Sequence, residues 1–304
     1  MHPWTRPAAL FLFLAVPLAP APTPAGAETL SVVGFNVESG GADPQVVDDI
    51  VAAAEGVDAW GFSEVQNDDW AEIFEAAAED GEGADFARIL GGTGGGDRLL
   101  IVYDADRLTL LESFELSDIN VGGNVRAPLV ARFRIGDDGQ EFLFMVNHLY
   151  RSRAERRHQQ AQLLNAWARA QTLPVIAVGD YNFDWSVTGG DSDHDAGYDH
   201  MTADGIFRWV RPDPLLRTQC SNHDSVLDFV FVAGPALAWQ ASSRILETQP
   251  GYCPDSGATS DHRPLRADFE TTEGGSLRAR LLDRLGAVEH ELQALRSEIE
   301  AIEE

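Results

Sequence analysis

The pattern of apolar positions along the chain predicts a series of short buried strands. Each is a brief apolar run, rich in β-branched or aromatic residues and bounded by polar or turn-forming residues. These runs cover residues 30–37, 59–62, 99–103, 108–116, 129–135, 142–146, 175–178, 226–232 and 265–269.

Helical segments separate some of these strands, and turns separate others. Helices are predicted over 44–54, 70–78 and 153–170. A glycine-rich turn is expected at 91–97, a hairpin turn at 136–139 and a long polar loop at 188–200. This mixture favours a layered α/β sandwich with mixed sheets.

The two ends of the chain differ from this pattern. Residues 1–27 hold Arg6, an apolar stretch and the small residues Ala25-Gly26-Ala27, which together are typical of a cleaved secretory signal peptide. The apolar stretch is too short for an uncleaved membrane anchor, and no later segment approaches membrane length. The mature chain is therefore expected to be secreted or periplasmic, without an integral membrane segment.

The tail at 276–304 carries a heptad repeat. Its apolar residues alternate steps of four and three, which is the narrow stripe of a coiled coil. A linker is predicted at 271–275, which leaves 28–270 as the catalytic domain. Self-association through the tail and folding of the tail back onto its own domain are both open. The stripe consists of Leu281, Leu285, Val288, Leu292, Leu295, Ile299 and Ile302.

Charge and cysteine content narrow the possible functions. The formal net charge is −27 and the sequence contains no lysine, which excludes nucleic-acid binding through a broad basic face. Such an acidic composition is typical of proteins adapted for high solubility or for high salt. The two cysteines, Cys220 and Cys253, predict a disulfide in an exported protein, with two buried thiols as the alternative.

Polar side chains that could carry chemistry stand at the strand ends. Any one of them alone could be structural. Together, oxygen ligands and imidazoles without zinc spacing favour a Mg²⁺ or Mn²⁺ site where strands end in loops. They are Asn36, Glu64, His148, Asp180, Asn182, Asp228, Asp261 and His262.

Six short motifs containing these residues resemble the endonuclease/exonuclease/phosphatase superfamily, in its expected order. They are GFNVE (34–38), GFSEV (61–65), VNHL (146–149), VGDYN (178–182), LDFVFV (227–232) and SDHRPL (260–265). The resemblance covers about residues 30–269. It implies a four-layer α/β sandwich in which two packed mixed β-sheets are flanked by helices, and it implies metal-dependent phosphoester hydrolysis.

The same resemblance implies a role for each motif residue. The metal ligands would be Glu64, with Asn36 and Asp261 in or beside the coordination sphere. Asp180 would activate the attacking water and Asn182 would hold the water or the phosphate. His262, steadied by Asp228, would contact the phosphate or transfer a proton, and His148 would assist the leaving oxygen.

Two further features carry weaker predictions. Arg126, in the stretch NVRAPL, is expected either to bind the phosphate or to form a surface ion pair. The acidic loop contains Asp191, Asp193, Asp195 and Asp199 and could bind a structural Ca²⁺. It lacks the EF-hand pattern, so a solvated acidic loop is the alternative.

The leading hypothesis is a secreted phosphodiesterase that acts as a nuclease at a metal-centred cleft. A sphingomyelinase-type phospholipase C and a small-molecule phosphatase are the enzymatic alternatives. The first of these would favour an exposed aromatic hairpin for membrane contact. An inactive binding or scaffold protein on the same fold is the alternative from another class. The shared fold and core do not name the substrate.

Overall fold

The structure of the chain is a computed structural model that describes residues 28–136, 139–220, 224–249, 251–253 and 257–271. The predicted signal peptide at 1–27 and the predicted coiled-coil tail at 276–304 lie outside the described residues. The last strand continues through Thr271, the residue at which the linker was predicted to begin. Among the described residues, no helix combines the length and the apolar character that a membrane span requires.

Twelve strands and four α-helices make up the described part of the chain. The helices are α1 (Pro44–Ala52), α2 (Asp68–Glu82), α3 (Ala154–Arg169) and α4 (Ala196–Thr202). The strands are β1 (Glu28–Asn36), β2 (Ala59–Val65), β3 (Phe86–Leu90), β4 (Arg98–Asp104), β5 (Leu108–Glu115), β6 (Leu129–Ile135), β7 (Glu141–His148), β8 (Val175–Ser186), β9 (Phe207–Trp209), β10 (Ser225–Ala233), β11 (Gln240–Ile245) and β12 (Leu265–Thr271).

The strands form two six-stranded mixed sheets. One has the order β11-β12-β1-β2-β4-β3 and the other the order β5-β6-β7-β8-β10-β9. Each sheet contains one parallel pair, β1 with β2 and β7 with β8, while the other neighbours are antiparallel. The carboxyl ends of each parallel pair therefore lie at one edge of their sheet.

Three apolar layers hold the fold together. The central layer packs the inner faces of both sheets against each other. One outer layer packs α1 and α2 on the first sheet, and the other packs α3 and α4 on the second. This is the four-layer sandwich with two packed mixed sheets that the sequence predicts.

Local sequence explains where helices begin. The side chain of Asp43 accepts a hydrogen bond from the backbone N–H of Gln45 at the start of α1, where Pro44 occupies the first turn. Asn67 does the same for the N–H of Trp70 at the start of α2. Both side chains satisfy backbone donors that a helix leaves unpaired.

Two glycines let the backbones approach closely beneath the site. A Cβ on Gly61 in β2 would lie 2.4 Å from a methyl group of Val178 in the facing sheet. Gly179 has φ +134° and a Cβ there would lie 1.9 Å from the carbonyl oxygen of Asn147. Only glycine allows this contact, and it places β8 tightly beside β7 directly before Asp180.

Some elements were not predicted from the sequence. The strands β3, β9 and β11 were missed, and α4 lies partly inside the segment predicted as a polar loop. All three strands are at sheet edges. Edge strands are often short and partly exposed to solvent, so their runs of apolar residues are short and give a weak sequence signal.

Candidate active site

The predicted site residues converge at one end of the sandwich. The ends of β1, β2 and β7 meet the middle of β8 and the start of β12 there, since Gly34 pairs with Leu265 and His148 pairs with Asp180. A cavity of about 320 Å³ opens at this point, here called the strand-end cleft. Of the predicted residues, those lining it are Glu64, Asp180, Asn182, Asp261 and His262.

Glu64 reaches the cleft through an irregularity in β2. The pairing of β2 with β4 shifts register between Phe62 and Val65, and Glu64 has a φ of +60°. This left-handed conformation costs a non-glycine residue about 1–3 kcal/mol. The strand end is therefore strained at the residue that presents a carboxylate to the cleft.

A second irregularity shapes the end of β8. Asp180 pairs with Asp228, but Trp185 pairs with Val226, so β8 carries extra residues between these pairs. Asn182 has a φ of +52° and its backbone N–H donates to Asp180 Oδ1 at 2.9 Å. Simple strand alternation therefore does not account for the shared placement of Asp180 and Asn182. A turn closed by the Asp180 side chain brings both residues to the cleft instead.

Asn36 bridges the carboxylates of Glu64 and Asp180 through hydrogen bonds. Its Nδ2 donates to Glu64 Oε1 at 3.0 Å and to Asp180 Oδ2 at 3.1 Å. Its Oδ1 accepts from the backbone N–H of Glu38 at 3.0 Å, which fixes the orientation of the amide. Asn36 thus points its amino group at the carboxylates. This orientation makes Asn36 a positioning residue beside the group that could hold a metal ion, and its predicted place in or beside the coordination sphere stays a prediction.

Glu64, His148 and Asp180 form a group able to hold a metal ion. One ligand atom from each lies within 4.8 Å of the others. His148 Nε2 is 3.7 Å from Glu64 Oε1 and 3.5 Å from Asp180 Oδ2. Burial, and then the charge of Arg126, lower the pKa of His148 to about 3. A neutral imidazole between two carboxylates is a donor set that suits a divalent cation.

Asp97 and Arg126 contact His148 and hold it in place. The sequence did not predict a contact of either residue with His148. Asp97 Oδ1 lies 3.4 Å from His148 Nδ1. Arg126 donates from Nε to the His148 carbonyl at 3.0 Å and from Nη1 to Asp97 at 2.5 Å. Only 9% of Arg126 is exposed, and it does not line the strand-end cleft. Arg126 thus forms a largely buried ion pair with Asp97 and holds the backbone of His148, while its predicted phosphate contact stays a prediction.

Asp228 and His262 form a buried pair beside Asp180. His262 Nδ1 lies 2.8 Å from Asp228 Oδ2, and its Nε2 lies 3.9 Å from Asp180 Oδ2. Burial alone would lower the pKa of His262, but Asp228, followed by Asp180 and Asp261, outweighs it and raises the pKa to about 10. The imidazole is therefore positively charged at neutral pH, which suits contact with an anion.

A disulfide braces the loop that carries Asp261 and His262. Cys220 and Cys253 are joined with a Cα–Cα distance of 5.1 Å. The backbone N–H of Cys220 donates to the Asp261 carbonyl at 2.7 Å, and Tyr252 donates from its hydroxyl to the His262 carbonyl at 2.6 Å. The bridge thus lies directly against the chain that presents these two side chains.

The acidic loop does not gather its carboxylates around one point. Asp195 pairs with Arg157 at 2.6 Å, Asp191 pairs with Arg211 at 3.0 Å and Asp199 faces a histidine. Among the described residues, both groups able to hold a metal include Asp180, and neither includes a residue of this loop. The described residues of this loop therefore offer no converging ligands for the predicted structural Ca²⁺, because Asp195 and Asp191 pair with separate arginines.

Sequence reasoning also missed residues that line the strand-end cleft. Glu38 belongs to the first motif, and its Oε2 accepts from the backbone N–H of Asp261 at 2.9 Å. Asp184 follows the VGDYN motif, and Gln219 donates to Asp261 Oδ2 at 2.9 Å. Arg151 also lines the cleft. Glu38 and Asp184 adjoin motifs and could have been suspected, whereas Gln219 carries no such signal.

The fold resembles that of several solved structures. An endonuclease/exonuclease/phosphatase family protein from Bacteroides thetaiotaomicron is 20% identical, with a TM-score of 0.60, and the match covers 80% of this chain and 95% of that one. The mannosyl-6-phosphatase from the same organism is 19% identical with a TM-score of 0.59, over 79% of this chain and 99% of that one. D. rerio TDP2 complexed with a single-strand DNA product is 17% identical with a TM-score of 0.61, over 80% and 99%.

These identities are low enough that the structural likeness establishes the fold alone. No curated protein sequence gives a significant match to the chain. The sequence model of the Endonuclease/Exonuclease/phosphatase family matches residues 33–262, a span that contains every predicted site residue. This chain therefore belongs to the endonuclease/exonuclease/phosphatase family.

Proposed function

We propose that this protein is an exported, divalent-metal-dependent phosphodiesterase that cleaves nucleic acid. One observation carries the proposal. Asp180, which lines the strand-end cleft, belongs both to the group with Glu64 and His148 that could hold a metal ion and to a group with His262 and its buried partner Asp228. Hydrolysis of a phosphoester needs both a site that gathers positive charge and a carboxylate beside the attacking water.

The metal site would be formed by Glu64, Asp180 and His148, whose donor atoms suit Mg²⁺ or Mn²⁺. A bound cation would neutralise charge on the phosphoryl oxygens and lower the pKa of a bound water. Asn36 holds both carboxylates in place through its two hydrogen bonds.

The remaining steps belong to the side chains of the cleft. Asp180 is placed to orient and deprotonate water, and Asn182, held by its Nδ2 contact to the Leu149 carbonyl at 3.3 Å, is placed to fix it. The imidazolium of His262 offers Nε2 to a phosphate oxygen, while Asp228 keeps Nδ1 occupied and the ring charged. Transition-state charge is thereby met by groups already oriented for it.

The arrangement of aromatic residues argues against the sphingomyelinase alternative. Trp185, Phe207 and Trp209 are at most 9% exposed. Among the described residues the exposed large hydrophobic side chain is Leu111, at 37%. A hairpin for membrane contact would need several exposed aromatic side chains. The DNA complex of the similar TDP2 supports a nucleic-acid substrate, and the mannosyl-6-phosphatase keeps a phosphatase as the second candidate.

Two features support export, the amino-terminal segment and the disulfide. The signal-like segment at 1–27 and a disulfide both fit an oxidising compartment. Sequencing the amino terminus of protein recovered from a periplasmic fraction or culture medium tests this. Cleavage near Ala27 would support export, and retention of residues 1–27 in the cytoplasm would refute it.

The activity itself is tested with bis(p-nitrophenyl) phosphate and a single-stranded oligonucleotide in the presence of Mg²⁺. We expect hydrolysis that chelation abolishes, and losses of at least ~100-fold in Glu64→Ala and Asp180→Asn. Glu112→Gln is the matched control, because this exposed carboxylate lies on β5 outside the cleft. A folded wild-type protein that hydrolyses neither substrate would favour the scaffold alternative.

A further inference from the structure

Arg151 is an unexplained cation at the strand-end cleft. It is the sole arginine among the described residues that line this cavity. Its neighbours there include the carboxylates of Glu38, Glu64, Asp180 and Asp184. Arg151 is exposed, and its guanidinium has no ion-pair or hydrogen-bond partner within the described part of the chain. Its charge is therefore available to a ligand of the cleft.

The backbone that presents Arg151 is held firmly. Arg157, which is only 7% exposed, donates from Nη1 to the carbonyls of Tyr150 at 2.8 Å and Arg151 at 2.7 Å. Arg157 is itself anchored by two hydrogen bonds to Asp195, at 3.1 and 2.6 Å. Leu149, two residues before Arg151, donates its backbone N–H to the Asp180 carbonyl at 2.9 Å. Arg151 is thus carried on a segment tied directly to the catalytic strand.

Depth within the cleft separates Arg151 from the catalytic groups. Asp180 is 2% exposed and His262 is 5% exposed, so the phosphate that reacts must enter deeply. Arg151 is at the exposed rim, where the part of the substrate that extends out of the cleft would pass. A guanidinium can donate two parallel hydrogen bonds to one phosphate. In a cleft lined by several carboxylates, a single arginine at the rim would offset their repulsion of a polyanionic substrate.

We propose that Arg151 binds the phosphate next to the scissile one, so that the enzyme recognises consecutive phosphodiesters, as in a single-stranded oligonucleotide. This inference rests on the proposed function and deepens it. It distinguishes a substrate with neighbouring phosphates from an isolated phosphate ester. It also explains how a chain with net charge −27 can act on a polyanion without a broad basic face.

Two substrates and two variants test the proposal. Thymidine dinucleotide has one phosphodiester and no neighbour, whereas oligothymidylate of ten residues has many. In Arg151→Ala we expect kcat/KM on the longer substrate to fall roughly tenfold, chiefly through KM, and the loss on the dinucleotide to be several times smaller. The salt dependence of kcat/KM on the longer substrate should weaken by about 0.7 in logarithmic slope.

Arg153→Ala is the matched control, because Arg153 is exposed on the same segment but does not line the cleft. It should retain the wild-type preference for the longer substrate. Anisotropy of fluorescent oligothymidylate on Asp180→Asn, with and without Arg151→Ala, provides a readout independent of turnover, and binding should weaken roughly tenfold.

Equal losses on both substrates would show that Arg151 acts on the scissile phosphate and would overturn the proposal. So would a loss no greater than that of Arg153→Ala. If wild-type protein cleaves neither substrate, the proposed function itself fails. That outcome differs from a wild-type protein that cleaves both equally well, which removes only the role of Arg151.

Discussion

The disulfide between Cys220 and Cys253 should stabilise the fold and the site together. It closes a loop with a sequence separation of 33 residues. The loop-entropy relation gives about 4 kcal/mol for a loop of this size, through restriction of the unfolded chain. Replacing both cysteines with serine should therefore lower the free energy of unfolding by roughly 2–4 kcal/mol.

The catalytic effect follows from what the bridge supports. Cys220 donates to the carbonyl of Asp261, and Tyr252 donates to the carbonyl of His262. Loosening these contacts lets His262 move relative to Asp180, and a misplacement of about 1 Å can cost up to 100-fold in rate. We expect a smaller loss, on the order of tenfold, because the Asp228 contact remains.

Urea unfolding followed by circular dichroism measures the stability change. The double variant should have a lower midpoint and a larger m-value, because its unfolded chain is no longer cross-linked. Wild-type protein treated with a reductant is the matched control and should behave in the same way. A double variant whose stability and activity both equal those of the oxidised wild type would refute this reasoning.

Three other predictions concern separate parts of the molecule. In metal-free protein, His262 has a folded pKa raised from 6.5 to about 10, so its stabilising contribution is complete below about pH 6.5 and is lost as pH rises through about 10. Asp228→Asn should lower that pKa and flatten this decline, as NMR titration of the imidazole and unfolding at several pH values would show; an unchanged pKa contradicts the pairing. Asp195→Ala should destabilise the fold by roughly 3 kcal/mol in urea unfolding, because it leaves the buried Arg157 without its carboxylate partner; a change below about 0.5 kcal/mol would show that the Arg157–Asp195 ion pair contributes little to stability. Truncation of 276–304 should change the oligomeric state in light scattering and preserve hydrolysis of a small substrate; an intact protein that is monomeric at micromolar concentration would refute self-association.

The architecture was predictable from the sequence because its core strands are buried on both faces. Runs such as Val175–Val178 remain apolar throughout and contrast sharply with their polar ends. The same contrast indicated the candidate site residues, since Glu64 and Asp180 interrupt apolar strands. Edge strands such as β9 escaped because they are short and half exposed, and their pairing depends on distant residues.

The arrangement of the site was less predictable than its membership. The left-handed backbone at Glu64 and Asn182 depends on pairing with β4 and β10, which the local sequence does not specify. The contact of Arg126 with Asp97 joins positions 29 residues apart. Such partners depend on the tertiary fold, so the sequence around Arg126 did not predict its pairing with Asp97.

Metal binding by Glu64, His148 and Asp180, coupled to phosphodiester hydrolysis, is the central claim. It is tested most directly by titrating chelated protein with Mn²⁺ in a calorimeter while the same samples are assayed for hydrolysis of bis(p-nitrophenyl) phosphate. The wild type should bind Mn²⁺ and regain activity with the same dependence on metal concentration, while Glu64→Gln should lose both. Full activity in chelated protein, or unchanged Mn²⁺ binding in Glu64→Gln, would contradict the claim.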